Sequence, residues 1–84
     1  MAGDLDPRAA SLVFGRRLRA LRIAHGMSQD NLADRMGLRG SAIWRLEHGL
    51  REPRLTTILR LARGLGVASG VLVDAQDTPA RVEA

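Results

Sequence analysis

Four side chains near the middle of the chain have the types and the spacing of a polar binding face. Ser41, Trp44, Arg45 and His48 recur at i, i+3, i+4 and i+7, the spacing that places residues on one side of an α-helix. Together they offer a hydroxyl, an indole, a guanidinium and an imidazole. A guanidinium fork matches the O6 and N7 acceptors of guanine, and an indole can cover the thymine methyl. This face therefore predicts contact with base edges in the major groove of double-stranded DNA.

Each of these side chains also has a simpler interpretation, which the sequence leaves open. Arg45 could contact a phosphate or stay solvated, and Ser41 could serve only the first turn of its helix. Trp44 could pack on the stem of a neighbouring arginine or on a partner protein, because an exposed indole is unfavourable in water. For His48, a phosphate contact is the favoured interpretation.

The remaining residue types argue against catalysis and against a metal or cofactor site. The chain has no cysteine, and neither His25 nor His48 has a second histidine at i+4 spacing, so a zinc site is not expected. No Ser-His-Asp constellation and no glycine-rich P-loop is recognisable. We therefore predict a protein that is not an enzyme, binds no metal and needs no cofactor.

Positive charge is concentrated in the central part of the chain. All 84 residues together carry +4, yet twelve arginines and four carboxylates between Arg8 and Arg63 give that segment +8. Such a charge favours binding to a polyanion, although arginines can also serve only to keep a small protein soluble.

The sequence has no run that resembles a membrane span or an export signal. We expect a protein of the cytoplasm, associated with the nucleoid.

Helical periodicity predicts an all-α fold, a compact bundle of about five short helices. Apolar residues recur every three or four positions between glycines that suit helix ends. Phe14 and Trp44 are the only aromatic residues, so aliphatic side chains must form the core. Ser28, and Asp6 before a proline, are expected N-caps. The expected domain covers residues 1–73, with helices at about 7–25, 29–36, 40–48, 55–63 and 68–73, and a frayed tail at 74–84.

The second and third predicted helices have the pattern of a helix-turn-helix. Three residues separate them, Gly37 suits a turn with positive φ, and the small Ala33 allows the two helices to approach closely. Ile43 and Leu46 point away from the polar face and into the core. In this motif the second helix, here about residues 40–48, lies in the major groove.

The same segments resemble the lambda-repressor-like, or XRE-type, family of phage repressors and Cro proteins. The resemblance covers roughly residues 14–72 and rests on Leu18-Arg-Ala-Leu-Arg22, Gly26-Met-Ser-Gln29, Gln29-Asp-Asn-Leu-Ala-Asp-Arg-Met-Gly37, Ile43, Leu46, Glu47-His-Gly49 and Arg51-Glu-Pro53. It implies five helices, sequence-specific binding of double-stranded DNA and transcriptional regulation, in most cases repression. It also implies a homodimer on a two-fold symmetric operator.

The resemblance assigns roles to residues around the predicted recognition helix. The expected contacts with the DNA backbone are Gln29, Gly40, His48, Arg51 and Arg54. Arg22 is expected to pair with Glu47, because a carboxylate beside the core needs a cation. Arg39 stands where the family usually has a Ser or Thr N-cap, and we expect it to reach a base or a phosphate.

Two further expectations concern partners. The apolar residues with little predicted core to fill, which we expect in a dimer interface, are Leu50, Val67, Val71, Leu72 and Val73. A protein-binding module such as an antitoxin stays open as a second function, because Trp44 is exposed and the tail from Asp74 is acidic. Nonspecific nucleic-acid binding is disfavoured, since the recognition face is not simply basic.

Overall fold

The structure is a computed structural model that describes residues 5–73. It contains five α-helices, which are α1 (Pro7–Ala24), α2 (Gln29–Met36), α3 (Gly40–Glu47), α4 (Leu55–Leu65) and α5 (Ser69–Leu72). The prediction of an all-α bundle of five short helices is confirmed. The tail predicted at 74–84 lies outside the described residues. Within residues 5–73, no helix combines the length and the apolar character needed to cross a membrane.

Local hydrogen bonds fix where the first two helices begin. The Asp6 carboxylate accepts the backbone N–H of Arg8 at 3.0 Å, and Pro7 occupies the first helical turn. At α2, Ser28 Oγ accepts the N–H of Asn31 at 3.0 Å, and Asn31 Oδ1 accepts the N–H of Ser28 at 3.1 Å. This reciprocal pair is a capping box, which satisfies two backbone donors that a helix start otherwise leaves unpaired.

The fourth helix is longer than predicted. We expected it to end at about Arg63, before Gly64, but it continues to Leu65 and ends at Gly66, whose φ is +68°. Leu65 is buried, and the helix must extend by one further half-turn to place that side chain in the core. Gly64 lies inside the helix, where a Cβ atom would be 3.3 Å from Met36 Sδ. Its role is therefore close packing of α4 against α2 rather than helix termination.

All five helices contribute to one apolar core. The buried members are Phe14 and Leu18 from α1, Leu32, Ala33 and Met36 from α2, Ile43 and Leu46 from α3, Leu61, Ala62 and Leu65 from α4, and Leu72 from α5. The assignment of Leu72 to a dimer interface is wrong, because this side chain is only 1% exposed. As the one buried residue of α5, it attaches that short helix to the bundle.

The turn between α2 and α3 has the geometry that the motif requires. Gly37 adopts the left-handed conformation at φ +65°, and the Leu38 N–H returns to the Ala33 carbonyl at 2.8 Å. These bonds end α2 and direct the chain into α3 within three residues. Ala33 is buried where the two helices pack. The turn thus sets the orientation of α3 relative to the bundle.

Candidate nucleic-acid interface

The third helix has one buried face and one exposed face. Ile43 and Leu46 lie in the core, at 0% and 3% exposure. The side chains on the opposite face, which are all exposed, are Ser41, Trp44, Arg45 and His48. His48 is the C-cap residue, one position beyond the end of the helix. The structure therefore places the four predicted binding side chains on one accessible surface, which we call the recognition face.

Trp44 stacks on His48 across one turn of the recognition face. The ring centroids are 4.1 Å apart and the ring planes differ by 27°. His48 Nδ1 also lies 2.8 Å from the backbone oxygen of Trp44. Sequence reasoning did not anticipate this pair, although i, i+4 spacing at a helix end was the available signal. Because the indole is held by a ring on its own helix, it does not need an arginine stem for support.

The carboxyl-terminal end of α3 is joined to α1 by a buried ion pair. Arg22 Nε lies 2.5 Å from Glu47 Oε2, and Nη2 lies 3.0 Å from Oε1. Both residues are buried, and Arg22 also donates to the Met27 carbonyl at 2.9 Å. The hydrogen bonds to Glu47 raise the pKa of Arg22 above its ordinary value, against the lowering effect of burial. The guanidinium therefore keeps its charge, and the two-pronged contact fixes the position of α3.

Gln29, at the start of α2, binds the same Glu47 carboxylate. Its amide nitrogen donates to Glu47 Oε1 at 3.1 Å, so α1, α2 and α3 meet at one buried group. The sequence analysis assigned Gln29 to a DNA phosphate. One amide hydrogen is used by Glu47, and the second hydrogen is the donor that a phosphate contact would need. The phosphate assignment of Gln29 stays a prediction.

Backbone packing brings α1 unusually close to this end of α3. A Cβ atom on Gly15 would overlap the backbone carbonyls of Leu46 and Glu47. Gly49, just beyond the helix, has φ +67°, and a Cβ there would overlap Leu12. Both glycines are therefore required by the approach of the two helices. Sequence reasoning treated Gly49 only as a helix terminator and assigned no role to Gly15.

The amino-terminal end of α3 is built differently. Its N-cap is Arg39, and the side chain of Arg39 makes no capping hydrogen bond. The Asp30 carboxylate of α2 lies against Gly40, so closely that a Cβ on Gly40 would overlap it. A negative charge at this position interacts favourably with the helix dipole. The contact of Asp30 with α3 could not be predicted from spacing, because only the fold brings the two together.

The arginines after α3 line a polar groove between α3 and α4. Arg51 and Arg54 are exposed and share this groove with Thr56, Thr57 and Arg60. Arg60 donates to the Met36 carbonyl at 2.6 Å, which ties the groove to the end of α2. Sequence reasoning missed Arg60, since its position facing the turn depends on tertiary packing. The groove presents guanidinium and hydroxyl donors together with the Glu52 carboxylate.

Among residues 5–73, no three His, Cys, Asp or Glu side chains lie close enough to hold a metal ion together.

Comparison with known proteins agrees with this arrangement. Residues 13–76 match a helix-turn-helix domain family, and the chain belongs to that family. It is 36% identical over 61 residues to the SPbeta prophage-derived HTH-type transcriptional regulator YonR of Bacillus subtilis, which covers 73% of this chain. The chain spans 56% of the length of that relative.

Two solved structures show the same fold. The restriction-modification controller protein C.AhdI from Aeromonas hydrophila superposes with a TM-score of 0.77 at 42% identity, covering 80% of this chain and 97% of its own. The P22 c2 repressor, solved in complex with a synthetic operator, gives a TM-score of 0.68 at 28% identity, covering 73% of this chain and 92% of its own.

Proposed function

We propose that this chain is a sequence-specific transcriptional regulator, most simply a repressor, that inserts α3 into the major groove of double-stranded DNA. The observation that carries the proposal is the recognition face itself. Four side chains of different chemistry stand exposed on a helix whose other face and carboxyl-terminal end are fixed in the bundle. A surface that only attracts phosphates would need positive charge, whereas a hydroxyl, an indole and one guanidinium suit base edges.

Related proteins support this function. C.AhdI is described as a controller protein of a restriction-modification system, and the P22 c2 repressor was solved with operator DNA. We propose that this chain acts in the same way on its own operator, in the cytoplasm at the nucleoid, as a binding protein without catalytic activity.

The side chains divide by the part of DNA that they reach. Within the groove, the proposed base contacts are Ser41, Trp44, Arg45 and Arg39. The proposed contacts with the sugar-phosphate backbone are Gln29, Gly40, His48, Arg51 and Arg54. The Asp30 carboxylate beside Gly40 would repel a phosphate, so Gly40 contributes through its backbone and close approach, and Arg39 supplies the charge at that end.

We propose that the regulator binds as a two-fold symmetric homodimer, with recognition helices about 34 Å apart on one face of the duplex. Exposed apolar side chains outside the recognition face support this assembly. Of the predicted interface residues, Leu50 is 67% exposed and Val71 and Val73 are 46% exposed each, and Leu55 of α4, which was not predicted, is 71% exposed. Leu72 has been withdrawn from the predicted interface, and Val67 is half-buried and packs against the core.

Fluorescence anisotropy tests the proposal. A duplex enriched from a random library is compared with a scrambled duplex at two salt concentrations, using wild type, Arg45→Ala and Arg63→Ala. We expect the enriched duplex to bind at least about 10³-fold more tightly. Arg45→Ala should lose about 1–3 kcal/mol on the enriched duplex and little on the scrambled one.

Arg63→Ala is the matched control, because Arg63 is an exposed arginine near the carboxyl end of α4. It removes the same charge away from the recognition face. If Arg45→Ala and Arg63→Ala weaken both duplexes alike, Arg45 makes no base contact. If no sequence is enriched, a protein partner for the exposed Trp44 becomes the better function.

A further inference from the structure

The hydrogen bond at His48 determines which ring nitrogen carries its proton. Nδ1 lies 2.8 Å from the Trp44 carbonyl oxygen, and a carbonyl oxygen can only accept a hydrogen bond. Nδ1 must therefore be the donor. In the neutral ring, Nε2 is then the unprotonated nitrogen, and it offers a lone pair rather than an N–H.

A neutral His48 in this state cannot donate to a phosphate. Phosphate oxygens are acceptors, so they would face the Nε2 lone pair. Protonation at Nε2 converts the same atom into a charged donor without breaking the bond from Nδ1. The stack on Trp44 favours this change, because an aromatic face attracts a cation placed over it.

The position of His48 on α3 indicates phosphate rather than a base as its partner. The amino-terminal part of a recognition helix lies deepest in the major groove. His48 follows the last helical residue at the opposite end, beyond both Trp44 and Arg45. Base edges are reached from the other end of the helix, so the sugar-phosphate chain is the expected DNA component at His48.

We propose that His48 contacts a DNA phosphate only as an imidazolium, so that DNA binding takes up one proton per protomer at Nε2 from solvent. This inference rests on the proposed function, because it concerns the same interface. It adds that affinity for the operator depends on pH between about 5.5 and 8.5, the range in which histidine changes charge. Acidification would strengthen binding, since the bound state holds more protons than the free state.

The other charged groups near this end of α3 are arginines and carboxylates. On α3 itself they are Arg45 and Glu47. From α1, which packs against this end of α3 through Leu12 and Gly15, the neighbouring charged residue is Arg8, which shares a surface depression with Gly49, Arg51 and Glu52 of the following loop. Arginine stays protonated and carboxylates ordinarily ionise below pH 5. A change in affinity across this range that depends on residue 48 therefore reports on the imidazole.

A second histidine provides a matched control. His25 is the C-cap of α1, and its Nδ1 lies 2.7 Å from the Leu21 carbonyl. It makes the same hydrogen bond to the carbonyl four residues earlier as His48 does, but it lies on a different helix, outside the recognition face. His25→Gln removes an imidazole with that hydrogen bond without touching α3.

The experiment measures anisotropy with the enriched duplex at pH 5.5, 7.0 and 8.5, each over a series of salt concentrations. The proteins are wild type, His48→Gln, His48→Lys and His25→Gln, each checked for helical content by circular dichroism. For wild type and His25→Gln we expect each protomer's contact to raise affinity about tenfold between pH 8.5 and pH 5.5, or about 100-fold for the homodimer. The slope of log K against log salt should be steeper at the acidic end by up to about 0.9 per protomer, which is the value for one neutralised phosphate.

The two His48 variants should behave in opposite ways. His48→Gln should have a shallow slope at every pH, and His48→Lys a steep slope at every pH, because its charge is permanent. The proposal is overturned if His48→Gln keeps the pH dependence, if His25→Gln loses it, or if wild type shows none. Binding of the enriched duplex without pH dependence contradicts only this inference, whereas absence of binding at any pH contradicts the proposed function as well.

Discussion

The two ends of the recognition helix are held by different numbers and kinds of contact. At the carboxyl-terminal end, Glu47 is bound by Arg22 from α1 and Gln29 from α2, and Gly15 lies directly against the backbone. At the amino-terminal end, Arg39 provides no side-chain cap, and the Asp30 carboxylate lies beside Gly40. The helix is therefore anchored at one end, and its other end, which we propose enters the groove, is held by weaker interactions.

Because of this difference, we expect substitutions at the carboxyl-terminal end of α3 to change stability and substitutions at its amino-terminal end to change mainly recognition. Contacts at the anchored end join three helices through buried groups, so their loss must destabilise the whole bundle. Contacts at the amino-terminal end involve exposed side chains, whose loss costs little in water. Substitutions at this end should therefore change DNA binding more than they change stability.

The largest effect should come from Glu47→Ala. Removing this carboxylate leaves the Arg22 guanidinium buried without its partner, and breaking a buried ion pair in this way costs about 3–5 kcal/mol. Urea unfolding followed by circular dichroism measures the loss. Glu52→Ala is the control, because Glu52 is an exposed carboxylate five residues later, and it should change stability by less than about 0.5 kcal/mol. Similar losses for the two variants would show that Glu47 does not anchor α3.

Gly15→Ala should have the next largest effect. The added methyl group would overlap the carbonyls of Leu46 and Glu47, and backbone atoms cannot rotate away as a flexible side chain can. Overpacking of this kind costs about 1–3 kcal/mol, which exceeds the gain of about 1 kcal/mol from placing alanine in a helix.

Gly70→Ala provides the comparison for that measurement. Gly70 also lies in a helix, and a Cβ there meets no atom within 4 Å in the described part of the chain. We expect this variant to be neutral or slightly more stable in the same unfolding assay. If both alanine variants are stabilised, α1 does not approach α3 as closely as the structure indicates.

A comparison of Gly49→Ala with Gly26→Ala measures a smaller steric cost at the carboxyl-terminal end of α3. Both glycines have φ +67°, so alanine at either position should cost about 1–2 kcal/mol from backbone strain alone. At Gly26 a Cβ meets nothing within 4 Å among residues 5–73, but at Gly49 it would overlap Leu12. We expect Gly49→Ala to lose about 1 kcal/mol more than Gly26→Ala in chemical denaturation. Equal losses would mean that Leu12 moves aside freely.

The sequence predicted the local features of this fold better than its tertiary contacts. Caps such as Ser28 and turns such as Gly37 depend on neighbouring residues, so their positions could be read from spacing. Leu72 was assigned to a dimer surface because nothing in the sequence showed that α5 folds back onto the core. Asp30 and Gly15 were missed for the same reason, since each acts on α3 from another helix. Arg22 and Glu47 were paired through family resemblance together with the cost of an unpaired buried charge.

Serine substitutions at the N-caps of α3 and α4 should show the smallest effect and test the amino-terminal end directly. Arg39 and Arg54 are both N-caps without a capping hydrogen bond, so serine at either position can accept a free backbone N–H. Arg54→Ser should stabilise the protein by about 0.5–1 kcal/mol. Arg39→Ser should gain a few tenths less, because the Asp30 carboxylate already interacts with the start of α3.

The same two serine substitutions should also be made in a protein that carries Asp30→Asn. Once the charge beside Gly40 is removed, Arg39→Ser should gain as much as Arg54→Ser, while the gain at Arg54 should stay the same because that residue begins a different helix. Thermal unfolding of the four combinations measures these differences. If Arg39→Ser gains equally with and without the Asp30 charge, that carboxylate contributes nothing to α3. The amino-terminal end would then be held by the turn alone, and DNA itself would supply the missing negative charge at the start of the recognition helix.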